Sequence, residues 1–358
     1  DFEKDIEKID EAILSIDSGD KGNIEKLSAL KSNKQQNLKK IYSSLNAWQK
    51  VQVARHSDRP HTLDYINNIF ENFIPLCGDK KFADDFAIVG GLAKINGNSV
   101  MLLGTEKGNS MESRIKHNFG MAKPEGYRKA QRLMKIAEKF NLPVITFVDT
   151  PGAFPGKDAE ERGQSESIAS TIAISLKVKI PIISVIIGEG GSGGAIALAS
   201  SNKTIMLENA IYSVISPEGC ASILWRDPKK TLEAADAMKL SAQDLLQLGI
   251  IDEVIEEPIG GAHRNKQILI EKLRVTIREN LDELLKLSKE DVLNHRKQKF
   301  LSMGRKKGFK IGTDNLGKMT VAENIFSTLQ NKFTNFKIFI YIAIIALLGL
   351  IFITLYWL

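Results

Sequence analysis

Apolar residues Phe2, Ile6, Ile9, Ile13 and Ile16 recur at steps of three and four, which predicts an amphipathic helix at the start of the chain. The run Ser18-Gly19-Asp20-Lys21-Gly22 breaks that pattern. A second, lysine-rich helix follows, with Leu27, Leu30, Leu38, Ile41 and Leu45. Sustained heptads are missing, so the two helices predict an arm packing on a partner or on its own body, not a coiled coil. From about residue 82 to 256 the pattern changes to short apolar runs between glycine-rich turns and amphipathic stretches. Strands are predicted at 87–95, 100–104, 144–149, 182–188 and 203–208, and helices at 127–140, 160–176, 193–200 and 234–240. Strands alternating with helices predict an α/β fold. Residues 266–303 read as charged helix, with Leu269, Leu273, Ile277, Leu281, Leu284 and Leu285 on one face.

Residues 304–318 are rich in Gly and Lys and read as the start of a linker, 304–337. The run at 338–358 carries no charge, and a hydrocarbon core needs about 20 apolar residues to cross. It predicts a transmembrane anchor, with a buried core helix as the alternative. Lys332 and Lys337 place its first end on the cytoplasmic side, and Tyr356 and Trp357 suit the opposite interface.

The 358 residues are 43% hydrophobic and 26% charged, enough to bury a substantial core. The net charge of +6 suits an anionic partner such as a CoA phosphate, or is a scatter of solvated lysines. Cys77 and Cys220 lie far apart, without CxxC or His/Cys spacing, so no structural zinc site is expected in this chain. Cys220 sits in an apolar stretch and reads as a small core residue. The acidic, amphipathic start is unlike a signal or transit peptide.

Two glycine-rich segments follow predicted strands. One is Asp149-Thr150-Pro151-Gly152-Ala153-Phe154-Pro155-Gly156; the other is Gly188-Glu189-Gly190-Gly191-Ser192-Gly193-Gly194-Ala195. Strand ends are where α/β proteins place ligands. Glycine lets backbone N–H groups approach a ligand closely, and a helix starting at Gly193 adds its positive end. Two such segments meeting would form an oxyanion hole. A rival is a hydrolase nucleophile elbow, since Gly190-Gly191-Ser192-Gly193-Gly194 satisfies G-x-S-x-G. It needs a downstream histidine, and only His263 and His295 lie there. No Walker lysine follows, and the dinucleotide fingerprint is incomplete. Arg128, Lys129, Arg132 and Lys135 make the 127–140 helix basic, for a phosphate, a partner or plain solvation.

Several segments resemble the carboxyltransferase alpha subunit of bacterial and plastid acetyl-CoA carboxylase. They are Arg59-Pro60, Thr62-Leu63-Asp64-Tyr65, Asn118-Phe119-Gly120-Met121 and Pro124-Glu125-Gly126-Tyr127-Arg128-Lys129-Ala130. Asp149-Thr150-Pro151-Gly152-Ala153, Ala159-Glu160-Glu161-Arg162-Gly163-Gln164-Ser165-Glu166, Gly188 to Gly194 and Tyr212-Ser213-Val214-Ile215-Ser216-Pro217-Glu218-Gly219 continue the series. Glu257-Pro258 with Gly260-Gly261-Ala262-His263 closes it, and the likeness covers roughly residues 1–304. After Glu106-Lys107-Gly108 this chain has Asn109-Ser110, where the family more often carries a basic residue. The run at 338–358 is an addition to the family pattern.

The resemblance implies a crotonase-like ββα superhelix over 56–265, a helical arm at 1–55 and C-terminal helices at 266–303. It implies transfer of a carboxyl group from carboxybiotin to acetyl-CoA, giving malonyl-CoA for fatty acid synthesis. It implies an α2β2 heterotetramer with a zinc-bearing beta subunit, working with biotin carboxylase and a biotin carboxyl carrier protein, and no metal in this chain. Carried over to matching positions, the N–H groups of Gly193 and Gly194 would hold the biotin ureido oxygen. Gly152, Ala153, Gly190, Gly191 and Ser192 would line the same site. The expected location is the cytoplasm, tethered to the membrane's cytoplasmic face by 338–358. A non-catalytic scaffold and an enoyl-CoA hydratase or isomerase using Glu189 or Glu160 remain the other readings.

Overall fold

The strands that open on long, mostly apolar runs take the middle of the sheet, and the short or proline-bearing ones lie at its edges. In the computed structural model, which describes residues 2–16 and 21–304, β4 (Val144–Thr150) and β5 (Ile182–Gly191) are buried throughout. Beside them lie β3 (Asn98–Thr105) and β6 (Lys203–Leu207). The sheet order is β1-β2-β3-β4-β5-β6-β8, with β1 (Glu71–Pro75), β2 (Ile88–Ile95) and β8 (Glu253–Ile255). β7 (Ile211–Ser213) pairs with the last residues of β5. β1, β2 and β3 form an antiparallel meander; from β3 to β8 the pairings are parallel.

Helices supply the crossovers that parallel strands require. The first four are α1 (Lys4–Leu14), α2 (Lys21–Tyr42), α3 (Ala47–Ala54) and α4 (Thr62–Ile69). α5 (Met111–Lys116) and α6 (Pro124–Lys139) join β3 to β4; α7 (Lys157–Glu161) and α8 (Gln164–Lys177) join β4 to β5. α9 (Ser192–Ala199) joins β5 to β6. α10 (Pro217–Cys220), α11 (Thr231–Met238) and α12 (Ala242–Leu248) lie between β7 and β8, and α13 (Lys266–Leu285) and α14 (Lys289–Ser302) follow. α6 packs on α8, α8 on α9, and α9 on β4 and β5.

All five predicted strands are present, and three short ones were not foreseen. β1 ends in Pro75, and β7 and β8 have three residues each, too short for a period to show. The helix expected at 160–176 is two, because Gly163 adopts φ 83° between α7 and α8. The charged stretch at 266–303 likewise divides, with Ser288 accepting from Asp291 N–H at 3.2 Å to cap α14.

The N-terminal helices fold back on the body. Glu3 accepts from Tyr42 Oη at 2.6 Å and pairs with Arg264 at 2.7 Å, while Ile6 and Leu38 are buried. Two motifs of the resemblance meet as a buried ion pair. Arg59 donates to both oxygens of Glu257, at 3.0 and 2.6 Å, and to Ile187 C=O at 2.9 Å. Cys220 is buried beside Ala221 and Ala234, as a small core residue. The turn expected at 18–22 falls mostly on 17–20, outside the described residues, as do the linker beyond Gly304 and the apolar run at 338–358. Among the described residues no helix is long and apolar enough to cross a membrane.

Candidate functional site

The second glycine segment is not a loop for most of its length. β5 continues through Gly188, Glu189, Gly190 and Gly191, where β7 pairs with it on one side and Thr150 of β4 on the other. The chain then turns directly into α9 at Ser192, which takes φ 56°. The N-cap is Gly191, which has no side chain to offer a hydrogen bond. The first N–H groups of a helix have no acceptor within it, and those of Ser192, Gly193 and Gly194 must find theirs outside α9. The helix dipole adds partial positive charge at the same place.

The first glycine segment is packed against this junction. β4 ends at Thr150, whose Oγ1 accepts from Gly152 N–H at 3.1 Å and donates to Gly152 C=O at 2.7 Å. Gly152 takes φ 149°. A Cβ on Gly191 would stand 2.2 Å from Pro151 O, and one on Gly194 would stand 2.9 Å from Gly152 C and 3.0 Å from Ala153 N. One on Gly190 would meet the Tyr212 ring at 3.0 Å. Gly191 and Gly194 are therefore conditions of contact between the two segments, and Gly190 of contact with β7. Gly193 is different: an added Cβ meets only Ile168, at 3.4 Å.

The junction opens on a cleft of about 410 Å³, lined by Gly152, Ala153, Phe154, Ile168, Ser192 and Ile215 among others. Gln164 pins one wall, donating from Nε2 to Ala122 C=O and Phe154 C=O at 2.9 Å each. The cleft thus mixes apolar and polar lining, with Phe154, Ile168 and Ile215 beside Gln164, Ser165 and Ser216, and the start of α9 reaches it at Ser192. That suits a neutral ring bearing an oxygen on which negative charge develops. Of the sequence-predicted residues, Gly152, Ala153 and Ser192 line the cleft; Gly191 and Gly194 pack against the turn at 151–153, Gly193 faces Ile168, and Gly190 lies behind the junction against Tyr212.

The rival chemistries lose their partners. No histidine lines the cleft beside Ser192; His263 stacks on His56 at 3.9 Å, and Asn202 Nδ2 lies 3.4 Å from the His295 ring. Glu189 is turned away, held by Arg55 at 2.8 Å and Lys107 at 3.2 Å. Glu160 is exposed at the rim. The basic helix is spent on structure: Arg128 binds Asp79, Lys129 binds Asp84, and Arg132 donates to three carbonyls, leaving Lys135 exposed. No metal-ligand grouping occurs among the described residues.

Sequence reasoning missed a charged cluster behind the junction. Asp149 Oδ1 accepts from Lys107 at 2.8 Å and from Glu189 N–H at 2.9 Å, and Oδ2 lies 3.4 Å from His61. Burial alone would raise the Asp149 pKa; Lys107 and His61 overcome it and hold the carboxyl well below its ordinary range. Burial lowers the Lys107 pKa, but Asp149 and Glu189 outweigh it and raise the net value. A lone lysine between an apolar strand and a glycine was the available signal.

Residues 1–304 match the acetyl co-enzyme A carboxylase carboxyltransferase-like family. The chain belongs to that family. Its relatives include the acetyl-coenzyme A carboxylase carboxyl transferase subunits alpha of Pelagibacter ubique and Paramagnetospirillum magneticum. The first is 55% identical over 314 residues, covering 87% of this chain and 85% of the relative. The second is 53% identical over 308 residues, covering 85% and 97%. Among solved structures, transcarboxylase 12S matches with a TM-score of 0.54 at 19% identity, over 68% of this chain and 45% of that one. At that identity the likeness is one of fold. Ser110, a departure from the family pattern, caps α5 by accepting from Ser113 N–H at 3.1 Å.

Proposed function

We propose that this carboxyltransferase-family chain is the alpha half of an acetyl-CoA carboxylase carboxyltransferase, the half that handles carboxybiotin. Its fold is read as a crotonase-like superhelix over 56–265 with an arm at 1–55 and helices at 266–303. The observation that carries the reading is the meeting of the Gly152-Ala153 turn with the start of α9, which has no side-chain cap, beside a cleft of mixed polar and apolar lining.

Biotin, delivered by a separate carrier protein, supplies both the carboxyl group and the basic ring nitrogen. Gly193 and Gly194 present N–H donors to its ureido oxygen as negative charge develops there. Backbone donors need no reorganisation at that moment, which is the source of their effect. Gly152 and Ala153 close one side of the cleft, and Phe154, Ile168 and Ile215 exclude water from it. A side-chain base is not needed on this chain, in keeping with a cleft whose only lining carboxylate is the rim residue Glu160. The acyl-CoA, in this reading, comes with a beta subunit, biotin carboxylase charges the carrier, and the apolar run at 338–358 tethers the complex to a membrane.

Co-expression with a beta subunit from the same source tests the reading, by following malonyl-CoA decarboxylation in the presence of biocytin. Turnover that needs both chains is the expected result. Hydration of an enoyl-CoA, or an assembled complex with no turnover, defeats it.

A further inference from the structure

Among the described residues, Lys107 is the one cation that touches both carboxylates behind the glycine junction. Its ammonium lies 2.8 Å from Asp149 and 3.2 Å from Glu189, with 17% of its side chain exposed. The fold makes room for it. Asn118, Phe119 and Gly120 take φ 47°, 55° and 79°, and a Cβ on Gly120 would stand 2.7 Å from Lys107 Cγ. The Asn118-Phe119-Gly120 motif is thus a turn laid over this lysine.

The two carboxylates are coupled to the site. Asp149 lies three residues before Gly152, and Glu189 four before Gly193. Asp149 Oδ1 holds Glu189 N–H at 2.9 Å, tying the end of β5 to β4 at the point where both segments turn into the cleft. Gly188 allows this approach, since a Cβ there would lie 2.6 Å from that oxygen. Unneutralised, two buried negative charges would repel each other across this tie and oppose an anion forming at the nearby N–H groups. Arg55 cannot replace the lysine, because it divides itself between Glu189 and Glu218 and does not reach Asp149. His61 contacts only Asp149, and Arg114 lines the same small cavity but donates to the carbonyls of Gly108 and Ser57.

We propose that Lys107 is a positioning residue for carboxyl transfer: it neutralises Asp149 and Glu189, and so holds the Gly193 and Gly194 donors in register with Gly152 and free of opposing charge. The proposal rests on the carboxyltransferase reading above. It treats charge balance, not packing volume, as what the lysine contributes.

The test compares the assembled complex carrying Lys107→Met, Lys107→Arg, or Lys107→Met with Glu189→Gln, in biocytin-dependent malonyl-CoA decarboxylation. Lys107→Met is expected to lower kcat on the order of 100-fold, with KM for malonyl-CoA within about twofold. Lys107→Arg should retain most turnover, and the charge-balanced double variant should regain about tenfold over Lys107→Met. A folded Lys107→Met complex within about threefold of wild type overturns the proposal, as does a loss that the double variant does not relieve. Should Lys107→Met fail to assemble, the double variant decides alone: turnover within about tenfold of wild type supports the proposal, and a folded complex about 100-fold slower overturns it. A wild-type complex without turnover counts against the carboxyltransferase reading; normal wild type with an unaffected lysine variant counts against this proposal only.

Discussion

Gly193 and Gly194 are neighbours in sequence and opposites in tolerance. A methyl on Gly194 would press on Gly152 C at 2.9 Å and Tyr127 Oη at 2.9 Å, whereas one on Gly193 reaches only Ile168 at 3.4 Å. Gly194→Ala should therefore cost about 1–3 kcal/mol, and Gly193→Ala less than about 1 kcal/mol, in denaturant unfolding. Gly193→Val should fold and lose turnover, because its branches enter the cleft beside the donors. A folded, active Gly193→Val complex would remove Gly193 from the oxyanion hole. Glu257 carries a different prediction. Its carboxylate faces a fully buried Arg59, so Glu257→Ala leaves an uncompensated charge and should cost about 3–5 kcal/mol. The meeting of the two glycine segments was legible in the sequence, as glycine-rich runs after two consecutive predicted strands on one sheet. The pairing of Arg59 with Glu257 was not, because 198 positions separate them. Lys107 was hidden for the same reason: its partners lie on two later strands.

At the scale of elements, the segment after α3 and the loop before α13 are joined by two imidazoles. His56 and His263 stack with ring centroids 3.9 Å apart and planes within 8°. Burial, then the neighbouring His56 and Arg264, lower the His263 pKa from 6.5 to about 4. The unfolded chain binds that proton more readily than the folded one. Stability from this contact is therefore complete above pH 6.5 and is lost as pH falls toward about 4. His263 is partly solvated, so the loss is on the order of 1 kcal/mol. His263→Gln should flatten the fall in unfolding midpoint across that window, and an unchanged slope would show that other groups cause it. The strands around this contact were unequally legible. β4 and β5 announce themselves by unbroken apolar runs, but β5 was expected to stop at Gly188 and runs to Gly191. Its last residues are strand because β7 and Thr150 of β4 pair with them, a tertiary effect that glycine composition cannot signal.

For the whole molecule, carboxyl transfer to a thioester develops charge on two oxygens in turn, one on each substrate, and the proposed function assigns this chain only the one on biotin. The second must come from elsewhere, so the purified chain alone should give no malonyl-CoA decarboxylation, and titrating in the beta subunit should restore it to saturation. The run at 338–358 adds a separate question of place. Its 21 uncharged residues would span roughly 30 Å as a helix, which matches a hydrocarbon core. The family match covers residues 1–304 and leaves that run outside it. The full chain with its beta subunit should sediment with membranes and be released by detergent but not by high salt, since the attachment is apolar. The same complex built on residues 1–304 should stay in the supernatant with its turnover intact. A full-length complex found in the supernatant would mean that the run is covered by protein, and the tether would have to be abandoned while the chemistry stood.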